Sequence, residues 1–277
     1  MTSIPQQYKA ESPADDDHAT GDIFDTKDYH VQTTSGPLLI LAGAGSGKTK
    51  TLTHRIAYLI ANEGLWPNDI LAVTFTNKAA KEMRIRLGQL LNQPGDSRSF
   101  MPWMGTFHGV CVRLLRLDGH HIGITSNFVI YDEDDRQRLI KDAIKQLHIS
   151  DNQIKPRAVS SAISNAKNEL IMPDEYAASA KYPFQQHVAE IYEKYETLRR
   201  AAGALDFDDL LIETVRLFKE APDVRKKWQQ AFKHILIDEY QDTNAAQYAI
   251  VKLLVNEHHN ICVVGDDWQS IYSWRGA

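Results

Sequence analysis

Residues 38–49 read LLILAGAGSGKT, and the rest of the chain is organised around them. Leu38 to Ala42 form a short apolar run suited to a buried strand. Gly43, Gly45 and Gly47, alternating with Ala44 and Ser46, give a loop with almost no side chains in the way. Lys48 and Thr49 then open a helix. Backbone N–H groups of such a loop wrap phosphate oxygens, and the helix N-terminus adds a partial positive charge. Lys48 is placed to reach the β- and γ-phosphates, and the Thr49 hydroxyl to hold Mg²⁺. The competing reading is a glycine-rich turn of no consequence. Strand, glycines, Lys-Thr and helix in this order weigh against it, so the expected ligands are ATP or a related nucleoside triphosphate with Mg²⁺.

Outward from this loop the chain alternates strand and helix. The helix from Lys48 to about Asn62 places Leu52, Ile56, Leu59 and Ile60 on one face. Ile70–Phe75 is a second buried strand, Lys78–Leu91 a second helix, Met104–Thr106 the end of a third strand and Phe107–Leu117 a third helix. This is the pattern of a parallel sheet covered by helices. From Asp118 to Ala204 the rhythm breaks. Phe128–Tyr131 is the only strand-like piece there, and helices are expected at 134–147, 157–170 and 185–202, punctuated by Pro156, Pro173 and Pro183. After a helix at Phe207–Phe218, strands resume at His234–Ile237 and Asn260–Val264. The expected architecture is therefore α/β: a P-loop NTPase parallel sheet interrupted by a mostly helical insert. Its divisions are an acidic, disordered tail (1–33), the first part of the sheet domain (34–117), the insert (118–204) and the second part of the sheet domain (205–277).

Composition narrows the class. The 277 residues carry a formal net charge of −5. Residues 1–28 alone hold seven acids against Lys9 and Lys27, so the remainder is neutral. Any nucleic acid must be gripped by local patches and stacking, not by a globally basic body. Cys111 and Cys262 lie in apolar segments without metal spacing and read as reduced core thiols of a cytoplasmic protein. No apolar run reaches membrane-spanning length, and the polar N-terminus does not resemble a signal peptide.

The remaining constellations cluster at strand ends. ILIDEYQD (235–242) finishes a strand on two adjacent carboxylates. Ligands gather at the carboxyl ends of parallel strands, so Asp238 suits Mg²⁺ and Glu239 suits a general base on the attacking water. VVGDDWQSIYSWRGA (263–277) offers Gln269 as a γ-phosphate sensor, and Tyr272 and Trp274 beside Arg275 as a base-stacking platform. Phe75, Thr76 and Asn77, and likewise His108 after Gly105-Thr106-Phe107, stand where a strand gives way to a helix and can meet a nucleic-acid backbone or base. Lys81, Arg84 and Arg86 read as a solvated helix face. The His pairs 120–121 and 258–259 read as surface. In LDFDDLL (205–211), Asp206 reads as an N-cap followed by acids that favour the helix dipole.

Taken together, AGAGSGKT (42–49), AVTFTNKAAKEM (72–83), GTFHGVCVRLLR (105–116), LDFDDLL (205–211), ILIDEYQDTNAAQY (235–248) and VVGDDWQSIYSWRGA (263–277) resemble the front part of superfamily 1 DNA helicases of the UvrD/Rep/PcrA type. The resemblance implies a RecA-like domain 1A interrupted by a helical domain 1B, and ATP-driven 3′→5′ movement along single-stranded DNA. By matching position it implies that Lys48 and Thr49 hold phosphate and Mg²⁺. It likewise implies that Asp238 coordinates the metal, Glu239 activates water and Gln269 senses the γ-phosphate. Phe75, Tyr272 and Trp274 would stack on bases, with His108 and Arg275 near the strand.

Some positions depart from the family pattern. Asp28 occupies the place of the adenine-reading Gln, Lys50 that of an Arg over the base, and Trp268 that of a frequent Asp, as in the helicase IV branch. The chain stops at Ala277, before the family's second RecA-like domain and its arginine fingers. The expectation for the chain alone is weak Mg-ATP binding, slow hydrolysis and no unwinding, with single-stranded DNA or a junction and a separate second RecA-like domain as partners. The alternatives are a non-hydrolysing DNA- or partner-binding module derived from such a helicase, and the ATPase part of a helicase–nuclease.

Overall fold

The computed structural model describes residues 29–43, 47–95, 97, 99–150 and 154–266. Two compact units emerge. The first comprises the described residues up to Val110, Lys226–Asp242 and those from Leu254 onward; the second comprises Cys111–Arg225 and Thr243–Leu253.

The first unit is built on five parallel strands in the order β1-β7-β6-β2-β3: β1 (Leu38–Leu41), β2 (Ile70–Thr74), β3 (Met104–Thr106), β6 (His234–Ile237) and β7 (Ile261–Gly265). A helical turn, α1 (Tyr29–Gln32), precedes β1, and its Val31 is buried. The expected disordered stretch 1–33 thus contains, at its end, a residue anchored in the core. α2 (Lys48–Ala61) and α3 (Asn77–Leu90) connect the early strands. Leu52, Ile56, Leu59 and Ile60 of α2 pack with Met83 and Leu87 of α3 against Ile40, Ala72, Leu236, Cys262 and Val264 of the sheet. β2 and β6 are buried along their whole length, as parallel strands covered on both faces require. Trp103, Trp228 and Phe232 form an aromatic cluster, with Trp103 edge-on to Trp228 at 4.7 Å between ring centres.

Arg84 does not belong to a solvated face, contrary to the sequence reading. It shares the inward stripe of α3 with Ala80, Met83 and Leu87, is buried, and donates to the Met104 carbonyl at 2.8 Å. The i, i+4 spacing carries it inward with Ala80, and the carbonyl accepts one of its guanidinium N–H groups.

The second unit is helical. α5 (Glu133–Gln146), α6 (Pro156–Asn168), α7 (Pro173–Ser179), α8 (Pro183–Ala201) and α9 (Phe207–Glu220) follow α4 (Phe107–Asp118), and α11 (Ala245–Leu254) lies mostly in this unit. The strand expected at 128–131 is the two-residue β4 (Val129–Ile130), paired in parallel with β5 (Ala204–Leu205). The prolines read as punctuation between helices are the first helical residues of α6, α7 and α8, and Pro222 likewise opens α10 (Pro222–Ala231). Proline lacks an N–H that the first turn would leave unpaired anyway, and its fixed φ suits a helix start. Ile140, Ile144, Val159, Ile163, Val188, Ile191 and Tyr192 form the core of the bundle.

A group of buried charges threads this bundle. Lys167 Nζ lies 2.8, 2.9 and 2.6 Å from Glu196, Asp206 and Asp209. Arg199 meets Asp209 at 3.0 Å, and Arg136 meets Asp208 at 2.9 Å. Asp206 caps α9, its Oδ1 accepting the Asp209 N–H, and its Oδ2 accepts the Tyr195 hydroxyl. The acids of LDFDDLL therefore neutralise buried cations from other helices as well as capping their own.

Candidate ATP site at the carboxyl edge of the sheet

Because the five strands are parallel, all their carboxyl ends open on one edge. The residues leaving it are Ala42, Phe75, Phe107, Asp238 and Asp266, each directly following its strand. β1 and β6 are not neighbours; β7 lies between them, in register Leu41 to Gly265 and Val263 to Ile237. Ala42 and Asp238, the first residues after β1 and β6, thus flank the exit of β7.

Gly47 precedes α2 with φ +87°, a left-handed conformation that favours glycine. Lys48 is buried, its ammonium 3.7 Å from Glu239 and 3.6 Å from Asp266. The Thr49 hydroxyl donates to Asp238 Oδ2 at 2.9 Å. Burial pushes the Asp238 carboxyl above its ordinary range, against the pull of the Thr49 hydroxyl. Glu239 takes φ +52°, rare for a residue with a side chain, and its N–H donates to Asp238 Oδ1 at 3.2 Å. Gln241 donates from Nε2 to Glu239 Oε2 at 2.8 Å and accepts the Asp266 N–H at 3.0 Å. Lys48, Thr49, Asp238 and Glu239 are thus brought together, although 190 residues separate Lys48 from Asp238.

Asp266 and Gln241 were not singled out from sequence. Asp266 carries the same signal as Asp238, an acid immediately after an apolar strand, in a stretch where aromatics drew the attention. Gln241 gives no sequence signal beyond its nearness to Glu239.

At the neighbouring exits, register pairs Thr74 with Thr106, so Phe75–Asn77 and Phe107-His108 leave the edge side by side. Phe75 and His108 are half-buried, while Thr76 and Asn77 are exposed. The Thr76 hydroxyl caps α3 by accepting the Ala79 N–H at 3.1 Å, and Thr106 accepts the Gly109 N–H at 3.2 Å. Lys50 is exposed and Gly43 lies open beside the loop. Ala44, Gly45, Ser46, Gln269, Tyr272, Trp274 and Arg275 lie outside the described residues, as does Asp28.

Cys111 and Cys262 are free and buried, and burial pushes their thiols up to about 12 and about 11, which keeps them protonated and unreactive. Both His pairs are exposed. Among the described residues no helix is long and apolar enough to cross a membrane.

The model of the UvrD/REP helicase N-terminal domain matches residues 25–277. The chain is 51% identical over 247 residues to the ATP-dependent DNA helicase PcrA of Leuconostoc citreum, covering 89% of this chain and 33% of that protein. It is 50% identical over 247 residues to the proteins of the same name from Staphylococcus epidermidis and Staphylococcus aureus, with the same shares. It therefore spans about a third of the length of the curated relatives it matches. With a family model over nearly the whole of it, and a parallel sheet that gathers a phosphate loop and two acids at one edge, the chain belongs to the UvrD/REP helicase family through that family's N-terminal domain.

Proposed function

We propose that this chain is the ATP-binding and ATP-hydrolysing N-terminal motor portion of a cytoplasmic 3′→5′ single-stranded-DNA translocase and helicase. On this reading it works with Mg²⁺ and a second RecA-like domain. The observation that carries the reading is the 2.9 Å contact between Thr49 Oγ1 and Asp238 Oδ2, with Lys48 and Glu239 alongside. A hydroxyl and a buried carboxylate converging at a helix N-terminus are hard oxygen donors of the kind Mg²⁺ takes. Among the described residues no three His, Cys, Asp or Glu side chains are grouped to hold a metal unaided. That suits a cation whose shell is completed by phosphate oxygens and water.

Mg-ATP, when bound, supplies the electrophilic phosphorus and the charge that screens its oxygens. The residues do the rest. Lys48 donates its ammonium protons to phosphate oxygens, and the amides at the start of α2 add theirs. Thr49 and Asp238 hold the metal. Glu239 orients a water and takes its proton, with Gln269 assigned to the γ-phosphate by its place in the family pattern. Phe75, Thr76, Asn77 and His108 at the adjoining exits, with Tyr272, Trp274 and Arg275, are assigned to the DNA strand. The relatives' name, ATP-dependent DNA helicase, supports the substrate pair. Arginine fingers add about 10³–10⁵ to turnover in related NTPases, a contribution assigned on this reading to the second RecA-like domain.

The test is ATPase activity of the purified chain with and without single-stranded DNA. We expect stimulation by DNA, and loss of activity in Lys48→Ala and in Glu239→Gln. Activity unchanged by both substitutions would overturn the reading, as would robust unwinding of duplex by this chain alone.

A further inference from the structure

Beside the Lys48 ammonium, which lies 3.7 Å from Glu239 and 3.6 Å from Asp266, Gln241 joins the Glu239 carboxylate to the end of β7 by hydrogen bonds. Its amide donates to Glu239 Oε2 and accepts from the Asp266 backbone. Only one of the two amide orientations satisfies both, since a carboxylate needs a donor and an N–H needs an acceptor. Two further features adjoin the same side chain. Glu239 takes a left-handed conformation, strained for a residue with a side chain and persisting only where the surroundings enforce it. And a Cβ at Gly265 would stand 3.0 Å from Gln241 Oε1, so the amide would have to give by a few tenths of an ångström.

We propose that Gln241 is a positioning residue. It fixes the direction of the Glu239 carboxylate and makes that direction depend on the exit of β7, where Asp266 also faces Lys48. The proposal rests on the reading of Glu239 as the base. The hydrogen-bonded link runs through the Gln241 amide, so its two halves separate chemically. Gln241→Glu keeps an oxygen for the Asp266 N–H but puts a negative charge against Glu239. Gln241→Leu keeps the bulk and loses both bonds. Gly265→Ala leaves Gln241 in place but crowds its oxygen.

The experiment combines amide hydrogen exchange at Asp266 with steady-state ATPase kinetics on the full chain. In wild type and Gln241→Glu the Asp266 amide is protected, whereas in Gln241→Leu it exchanges about tenfold faster or more. Both variants lose about tenfold or more in kcat, with KM for Mg-ATP within about twofold and an unchanged melting temperature, the split expected when only the reacting geometry is disturbed. Added to Glu239→Gln, neither lowers turnover further. Gly265→Ala follows Gln241→Leu in the same direction. Equal exchange at Asp266 in wild type and Gln241→Leu overturns the proposal, and so does wild-type kcat in Gln241→Glu. Should Lys48→Ala leave turnover untouched, the motor reading falls, and the exchange comparison still decides whether the bridge exists.

Discussion

Two lysines in this molecule are ringed by acids, and they differ in how tightly. Lys167, in the last turn of α6, has carboxylates at 2.6–2.9 Å, the Tyr195 ring at 5.0 Å, and a side chain only 1% exposed. Lys48, at the start of α2, has two carboxylates at 3.6 and 3.7 Å and a side chain 8% exposed. The first arrangement is tight: the ammonium donates to Asp206 and Asp209 and lies 2.8 Å from Glu196. In the second, among the described residues, the carboxylates stand beyond hydrogen-bond range of the ammonium, so they orient the lysine without closing on it. On the proposed reading the looser arrangement serves a ligand and the tighter one the fold.

That contrast can be tested from both sides. The largest effect is expected at the loose cluster. Glu239→Gln should lower ATP turnover by about 10²–10⁴ while retaining nucleotide binding, the range over which a positioned general base contributes. Single-turnover hydrolysis alongside equilibrium binding of a fluorescent nucleotide checks this. At the tight cluster, Lys167→Met should cost about 3–5 kcal/mol of stability, because three buried carboxylates then face one another with less compensation. Urea denaturation, followed by hydrogen exchange in α6 and α9, measures it. Next comes Gly47→Ala, which forces a left-handed φ on a residue with a Cβ and should cost about 1–3 kcal/mol, read from the thermal midpoint. The smallest effect belongs to Arg200, half-exposed and 3.8 Å from Glu196. Arg200→Ala should change stability by no more than about 1 kcal/mol, and less at high salt.

Acidity probes the tight cluster differently. Burial would raise the Asp206 carboxyl, but Lys167 and Arg136 hold it well below the usual range. Its contribution is therefore fully present above the unfolded carboxyl value, near ~3.9, and is lost as pH falls through the lower folded value. Lys167 is pushed up by Asp206, Asp209 and Glu196 against its own burial, so its contribution holds below about 10.4 and is lost as pH rises beyond it. Asp209, pushed up by burial and by the Asp206 charge, gains stability from protonation and blunts the acid loss. The cluster's own contribution is therefore level through neutral pH. Buried His234, held down at about 4 by its burial and by Arg55, adds a loss of stability that sets in as pH drops below the ordinary histidine value, about 6.5, and levels off below the folded one. A steep change between about pH 7 and 9 would contradict the assignment.

What the sequence made legible was local. Lys48 and Thr49 follow three glycines in six residues, and Asp238 and Glu239 end an apolar run, so each half of the site announces itself. Alternation of strand and helix then fixed a parallel sheet, and a parallel sheet has one carboxyl edge. The tight cluster was illegible because its members come from α5, α6, α8 and α9, and no spacing in the chain ties Lys167 to Asp206 or Arg136 to Asp208. Asp206 and Asp209 were read as servants of their own helix, which is half their task. Arg84 was placed in solvent because charge outweighed periodicity in the reading; the buried Met104 carbonyl that accepts it lies on another element. Helices α10 and α11 were missed where their openings, Pro222 and Ala245, looked like ordinary loop.

The strand order has a consequence for how the chain is made. β1 finds its partner only in β7, and the Gly36 N–H that precedes it bonds Asn260 across 224 residues. At the usual pace of synthesis, about 5–20 residues per second, roughly 10–45 s pass between the appearance of one and of the other. Throughout that interval Leu38–Leu41 is an apolar strand with an open edge, the kind of segment that pairs wrongly when left waiting. The bundle between them, built from nearby helices, has time to close first. Among the described strands, β1 is thus the first to be made and among the last to be paired.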